Sequence, residues 1–313
     1  MSTLLLLVVP LRWTDLWTAP LAEIAPNLRV LVHERDAYAP ADIDYVLTFR
    51  PPHALLKSLP NLKLVISLGA GVDGILADPE YPKQVPLVRF VDHTLSREMA
   101  QYCVLHVLMH YRMQRVFDRA QAERKWRQTL LPKRAEDTRV GVLGMGEIGT
   151  LTAERLRDLC FDVAGWSRTR KEVPGVQSFA GESKLPAFLN RTDILICLLP
   201  LTPGTRGILN AKLFGQLPKD AFVINVARGG HLVDDDLIAA LDSGHLSGAT
   251  IDVFHTEPLP ETHPFWTHPK ITVTPHIAAI SEPRVAAEYV AERIGRFERG
   301  EPLDNLVDPE KGY

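Results

Sequence analysis

Arg139-Val140-Gly141-Val142-Leu143-Gly144-Met145-Gly146-Glu147-Ile148-Gly149 decides the fold. Its first half reads as a short buried strand. GxGxxG follows, and then a helical pattern to about Leu159. The glycine pattern alone is a weak signal, but a strand before it and a helix after it are what a dinucleotide-binding turn requires. Gly144 permits the tight turn, Gly146 lets backbone approach a pyrophosphate, and Gly149 lets helix and strand pack closely. Met145, Glu147 and Ile148 complete the loop. The helix N-terminus supplies N–H groups and partial positive charge for phosphates.

Short apolar runs continue on both sides. Downstream lie Phe161–Trp166, Asp193–Leu198, Ala221–Val226, Ala249–Val253 and Ile271–Thr274. Upstream lie Leu4–Val9, Leu28–His33, Asp44–Phe49, Leu62–Leu68 and Leu87–Val91. Their nearly continuous apolar character predicts parallel strands covered on both faces. Helical segments alternate with them, so the expected class is α/β with two doubly wound parallel-sheet domains. The expected division is a flavodoxin-like substrate domain at 1–100 plus 282–313 and a Rossmann dinucleotide-binding domain at 101–281, with a cleft between them. From Leu95 to about Arg119 neither Pro nor Gly occurs, and apolar residues cover more than one helical face. Such a helix needs more than one packing partner, so it is read as the crossing into the second domain and as a subunit contact. Glu282 to Arg299 predicts a last helix capped by Gly300, with a short polar tail.

Composition narrows the function. Of 313 residues, 46% are hydrophobic and 23% charged, which excludes disorder, collagen and coiled coil. The net charge of -3 lacks the basic excess of a nucleic-acid binder. Cys103, Cys160 and Cys197 form no CxxC and sit in apolar stretches, which predicts buried free thiols in a reducing compartment. No apolar run reaches the roughly 18 residues of a membrane span. Leu4–Val9 has no basic residue before it and ends at Pro10, so it reads as a strand, and the expected location is cytoplasmic.

An NAD enzyme places Asp or Glu after the second Rossmann strand, against the ribose 2′-hydroxyl. Here Ser167-Arg168-Thr169-Arg170-Lys171 follows Trp166. A hydroxyl and the guanidinium groups of Arg168 and Arg170 suit a 2′-phosphate. The expected cofactor is therefore NADP(H), with NAD(H) less favoured. The alternative is a solvated basic loop.

Three strand-ending segments carry the chemistry: Asn225-Val226-Ala227-Arg228-Gly229-Gly230, Asp252-Val253-Phe254-His255-Thr256-Glu257-Pro258 and Thr274-Pro275-His276-Ile277-Ala278-Ala279. In a doubly wound sheet such loops share one edge. His276 suits a proton donor for a carbonyl oxygen, Glu257 an orienting anion beside it, and Arg228 a partner for a substrate carboxylate. Taken singly, each is as readily a surface ion pair or a structural histidine. Arg50 ends a first-domain strand, where it selects a second polar group on the substrate or only faces solvent. Glu261, His263 and His268 are spaced as a loop, and no metal is expected there.

Over nearly its whole length the chain resembles the D-isomer-specific 2-hydroxyacid dehydrogenases. The resemblance is carried by GMGEIG (144–149), WSRTRK (166–171), NVARGG (225–230), DVFHTEPLP (252–260), TPHIAA (274–279) and the terminal KGY (311–313). It implies an Arg, Glu, His catalytic set at Arg228, Glu257 and His276. It implies Asp252 for the nicotinamide carboxamide, with Leu199, Pro200, Thr205 and Ala227 along the cofactor. Ser67-Leu68-Gly69-Ala70-Gly71-Val72-Asp73 matches the family's carboxylate loop, with Gly71 and Val72 as N–H donors. It further implies NADPH-dependent reduction of small 2-oxoacids, glyoxylate and hydroxypyruvate foremost, and a homodimer through the Leu95–Arg119 helix. The chain departs from the common pattern at Met99-Ala100-Gln101 and at Ser167. Other members of the fold, acting on other 2-oxoacids, formate or phosphonate, or sensing nicotinamide as corepressors, remain alternatives.

Overall fold

The computed structural model describes residues 3–309. Lys311, Gly312 and Tyr313 lie outside the described residues. The chain divides into two compact units, residues 3–95 with 281–309 and residues 96–280.

The first unit holds β1 (Thr3–Val8), β2 (Leu28–Val32), β3 (Tyr45–Thr48), β4 (Leu64–Ser67) and β5 (Leu87–Val88). All pair in parallel, in the order β2-β1-β3-β4-β5. Alternation within β1 separates the two faces. Leu5 and Leu7 pack with Trp17, Leu21, Ala286 and Val290, whereas Leu6 and Val8 pack with Ile43, Leu56 and Ile75. The helices Thr14–Ile24 and Pro283–Glu298 thus cover one face. Glu282 caps the second by accepting the Val285 amide at 2.7 Å, and Gly300 ends it at a φ of 69°. The tail is not merely polar: Val307 is buried and its amide donates to Leu87 at 2.9 Å.

The second unit holds β6 (Arg139–Leu143), β7 (Asp162–Ser167), β8 (Gln177–Ala180), β9 (Ile194–Cys197), β10 (Ala221–Asn225), β11 (Leu246–Ile251) and β12 (Ile271–Val273). Their order is β12-β11-β10-β9-β6-β7-β8, again parallel. The chain reverses direction across the sheet between β6 and β9, the position where such sheets bind ligands. Seven strands replace the six expected. The additional β8 is a short edge strand of half-buried and exposed residues, without the apolar run that marks the others. The expected long helix is two, His93–Tyr111 and Gln114–Ala122, because Met113 takes a φ of 56° between them. Cys103 and Val107 pack the first of these on the sheet, while Leu105 on its other side is 52% exposed. Cys103 and Cys197 are buried as expected, but Cys160 is exposed. No helix among the described residues is long and apolar enough to cross a membrane.

Candidate active site

The turn after β6 is shaped by its own backbone. Gly144 has a φ of 112°. A Cβ on Gly149 would lie 1.9 Å from the Gly144 carbonyl oxygen, so only glycine lets the helix Glu147–Asp158 approach this closely. Gly146 differs, since a Cβ there would meet nothing within 4 Å. The protein itself does not require that glycine, whereas a phosphate lying against the helix N-terminus does. Gly146 is also the N-cap and offers no side-chain hydrogen bond, so the first-turn amides stay available to a ligand. The residues present fit a dinucleotide.

At the end of β7, Ser167 donates to the Thr169 carbonyl at 2.6 Å and Arg168 is exposed. Arg170 pairs with Glu172 at 3.2 Å, both well exposed. An exposed pair of this kind contributes about 0–1 kcal/mol, so a phosphate competes with it readily. The Leu199–Thr205 segment follows β9. Gly144 turns against its backbone, and Thr205 Oγ1 donates to the Pro200 carbonyl at 2.7 Å.

Three loops leave the adjacent strands β10, β11 and β12 at one edge. Arg228 follows β10, is half-buried, and donates from Nη1 to the Ala227 carbonyl at 2.6 Å. Its neighbour Gly229 lies so close to the next loop that a Cβ would fall 2.0 Å from the Phe254 carbonyl carbon. Backbone contact therefore joins the Arg228 loop to the Glu257 loop. Glu257 accepts the Phe254 amide on Oε1 at 3.0 Å and meets His276 Nδ1 through Oε2 at 2.9 Å. Their side chains are 19% and 29% exposed, enough to leave the imidazole accessible.

Asp252 is fully buried. Oδ1 accepts Thr274 Oγ1 at 2.6 Å and the Ile277 amide at 2.9 Å, while Oδ2 accepts the Ala278 amide at 3.0 Å. Its carboxylate thus organises the segment that carries His276, a task the sequence did not reveal. His231, also missed, is fully buried, and its ring nitrogens lie 3.2 Å from the carbonyls of Arg228 and Pro200. It ties the Arg228 loop to the segment after β9. The only sequence signal was a histidine inside a glycine-bearing turn. His263 pairs with Asp234 and His268 with Asp242, each at 3.3 Å.

In the first unit, the loop after β4 is held by Ser67, whose hydroxyl donates to the Gly69 carbonyl at 2.9 Å. Among the described residues, the amides of Gly71 and Val72 donate to no protein acceptor. Arg50, after β3, lays its stem against Gly74 and its guanidinium over the Phe49 ring at 5.6 Å. That places it at the same sheet edge as the Gly69–Val72 loop, since Thr48 and Ser67 are paired.

Residues 104–278 match the family model described as "D-isomer specific 2-hydroxyacid dehydrogenase, NAD binding domain". A glyoxylate/hydroxypyruvate reductase A of Yersinia enterocolitica is 44% identical over 302 residues, 95% of this chain and 96% of that protein. A D-isomer specific 2-hydroxyacid dehydrogenase of Xanthobacter autotrophicus Py2, solved with NADPH and MES, has a TM-score of 0.93 at 43% identity, covering all of both chains. An NADPH-dependent glyoxylate/hydroxypyruvate reductase of Sinorhizobium meliloti, solved with NADP and sulfate, has a TM-score of 0.92 at 40% identity, also covering all of both chains.

Proposed function

The chain belongs to the D-isomer specific 2-hydroxyacid dehydrogenase family, and on that basis we propose that it is an NADP(H)-dependent reductase of small 2-oxoacids. Glyoxylate becomes glycolate and hydroxypyruvate becomes D-glycerate. The observation that carries this reading is the pairing of His276 with Glu257 at the strand-end edge of a sheet bearing a dinucleotide turn.

When bound, the reduced nicotinamide supplies a hydride equivalent. This chain's residues supply the proton and hold the substrate. Glu257 occupies Nδ1 of His276, which leaves Nε2 to give a proton to the ketone oxygen. The Glu257 charge offsets the positive charge of the proton-bearing ring. Arg228 holds the substrate carboxylate by charge-assisted hydrogen bonds. In the first unit, the amides of Gly71 and Val72 suit an anionic group of the substrate as well. Arg50 meets a further polar group, such as the hydroxyl of hydroxypyruvate.

Residues 3–95 with 281–309 carry Arg50 and the Gly71–Val72 loop for the substrate, and residues 96–280 carry the cofactor turn together with Arg228, Glu257 and His276. Asp252, Leu199, Pro200, Thr205 and Ala227 border the nicotinamide end. Arg168, Arg170 and Ser167 favour a 2′-phosphate, and no carboxylate stands among residues 167–171 to repel it. The exposed Leu105 supports a homodimer through the Leu95–Arg119 helix. The absence of a membrane-spanning helix among the described residues is compatible with a cytoplasmic location. Loss of NADPH absorbance with a panel of 2-oxoacids tests the function. Glyoxylate and hydroxypyruvate are expected to lead the panel, and no turnover of either refutes the reading.

A further inference from the structure

The helix His93–Tyr111 meets the His276 segment at Tyr102, and just beyond it Glu98 accepts the Ile280 amide at 3.1 Å. The Tyr102 hydroxyl lies 2.5 Å from Thr274 Oγ1, and Thr274 Oγ1 donates to Asp252 Oδ1 at 2.6 Å. A threonine hydroxyl has a single proton. Because Thr274 gives that proton to the carboxylate, Tyr102 is the donor in the first bond. The chain therefore runs one way, from Tyr102 through Thr274 to Asp252. Such aligned bonds reinforce one another in a buried setting. Burial pushes the Tyr102 phenol up, so it keeps its proton at neutral pH. Its ring is fixed by His106 at 4.2 Å between centroids, and His106 Nδ1 lies 3.3 Å from Thr250 Oγ1.

What this chain holds is unusual backbone. His276 has a φ of 55°, a left-handed conformation that a side chain keeps only where its surroundings over-determine it. The surroundings do so here. The His276 amide donates to the carbonyls of Asp252 at 2.8 Å and Thr274 at 3.0 Å, and the next two amides donate to the Asp252 carboxylate.

We propose that Tyr102 is a positioning residue for His276: through Thr274 and Asp252 its hydroxyl fixes the backbone that turns the imidazole to Glu257. The proposal rests on the reductase reading, in which His276 gives the proton. Removing the hydroxyl loosens the proton donor and leaves the glycine turn, the Arg168 loop and Arg228 in place.

Steady-state kinetics on wild type, Tyr102→Phe, Thr274→Val and Thr274→Ser test it. Tyr102→Phe and Thr274→Val are expected to lower kcat about tenfold, the scale of a modest misplacement of a reacting group. KM for NADPH and for the oxoacid is expected to stay within about twofold of wild type, as for a loss confined to the transition state. The double variant is expected to lose no more than the worse single variant, because both cut one chain. Thr274→Ser, which restores the hydroxyl, recovers most of what Thr274→Val loses. An unchanged kcat in Tyr102→Phe, a loss seen only in KM, or losses that multiply in the double variant would each overturn the proposal. Should the wild type reduce neither glyoxylate nor hydroxypyruvate, the substrate reading fails by itself. The low-field imidazole proton shared by His276 and Glu257 then decides: a shifted or broadened NMR signal in Tyr102→Phe upholds the positioning role, and an unchanged signal overturns it.

Discussion

Glu257 grips His276 with one oxygen while its other oxygen is held by the Phe254 amide, so the carboxylate cannot rotate without breaking a bond to its own loop. The pair is built as a rigid unit. His276→Ala is expected to lower kcat by about two to four orders of magnitude, the scale of a lost general acid. Glu257→Gln keeps the shape but not the charge, and is expected to lose less. Turnover of His276→Ala within about tenfold of wild type would remove His276 from the proton-donor role.

Nucleotide choice tests the loop after β7. Arg168→Ala is expected to raise KM for NADPH by about tenfold or more, as for one lost charge-assisted hydrogen bond. KM for NADH should barely move, since NADH has no 2′-phosphate. Parallel increases for both nucleotides would show that Arg168 does not read that phosphate.

Two glycines of one turn are expected to fail differently. In Gly149→Ala the new methyl meets the Gly144 carbonyl oxygen at 1.9 Å, which no side-chain movement relieves. Overpacking of this kind costs about 1–3 kcal/mol or more, so thermal melting should fall even without ligand. In Gly146→Ala the methyl enters open space, so melting should hold while NADPH binding weakens. If Gly146→Ala binds NADPH as wild type does, the pyrophosphate does not lie against that position.

Burial against Phe222, whose ring is 4.1 Å away, holds the His110 imidazole down at about 4 from its usual 6.5. Between those values the unfolded chain binds the proton and the folded chain does not. Stability is therefore expected to fall as pH drops through that window, by on the order of 3 kcal/mol once below both values. His110→Leu keeps an apolar contact and removes the proton. Urea unfolding at a series of pH values should show a flatter acid limb in that variant. An equal slope in both proteins would place the acid sensitivity elsewhere.

The strands and the dinucleotide turn were legible because their constraints are local. A Val-rich run and a glycine that must touch backbone are both written within a few residues. Edge strand β8 was not legible, since Gln177–Ala180 buries too little to need an apolar run. Nor was the break at Met113, whose left-handed backbone falls on a residue type that gives no warning. In the candidate site, Arg228, Glu257 and His276 were legible only as residue types at strand ends, and the contact of Glu257 with His276 at 2.9 Å appears only once β11 and β12 are side by side. Their supports were not legible. Tyr102 and Thr274 lie 172 positions apart, and the bonds of Asp252 exist only once β11 and β12 are side by side.

The strand-like return of the tail onto β5 has a consequence for biosynthesis. Val307 and the helix Pro283–Glu298 complete a core whose first strand is made almost three hundred residues earlier. The unit spanning residues 96–280 is continuous and can close as soon as it has been made, whereas its companion must wait until residues 283–307 have emerged. A fragment of residues 96–280 is expected to melt cooperatively and bind NADPH, and a fragment ending at Leu95 is expected to stay unfolded. A well-folded early fragment, seen by circular dichroism, would mean that the closing helix is an ornament to that core and not a part of it.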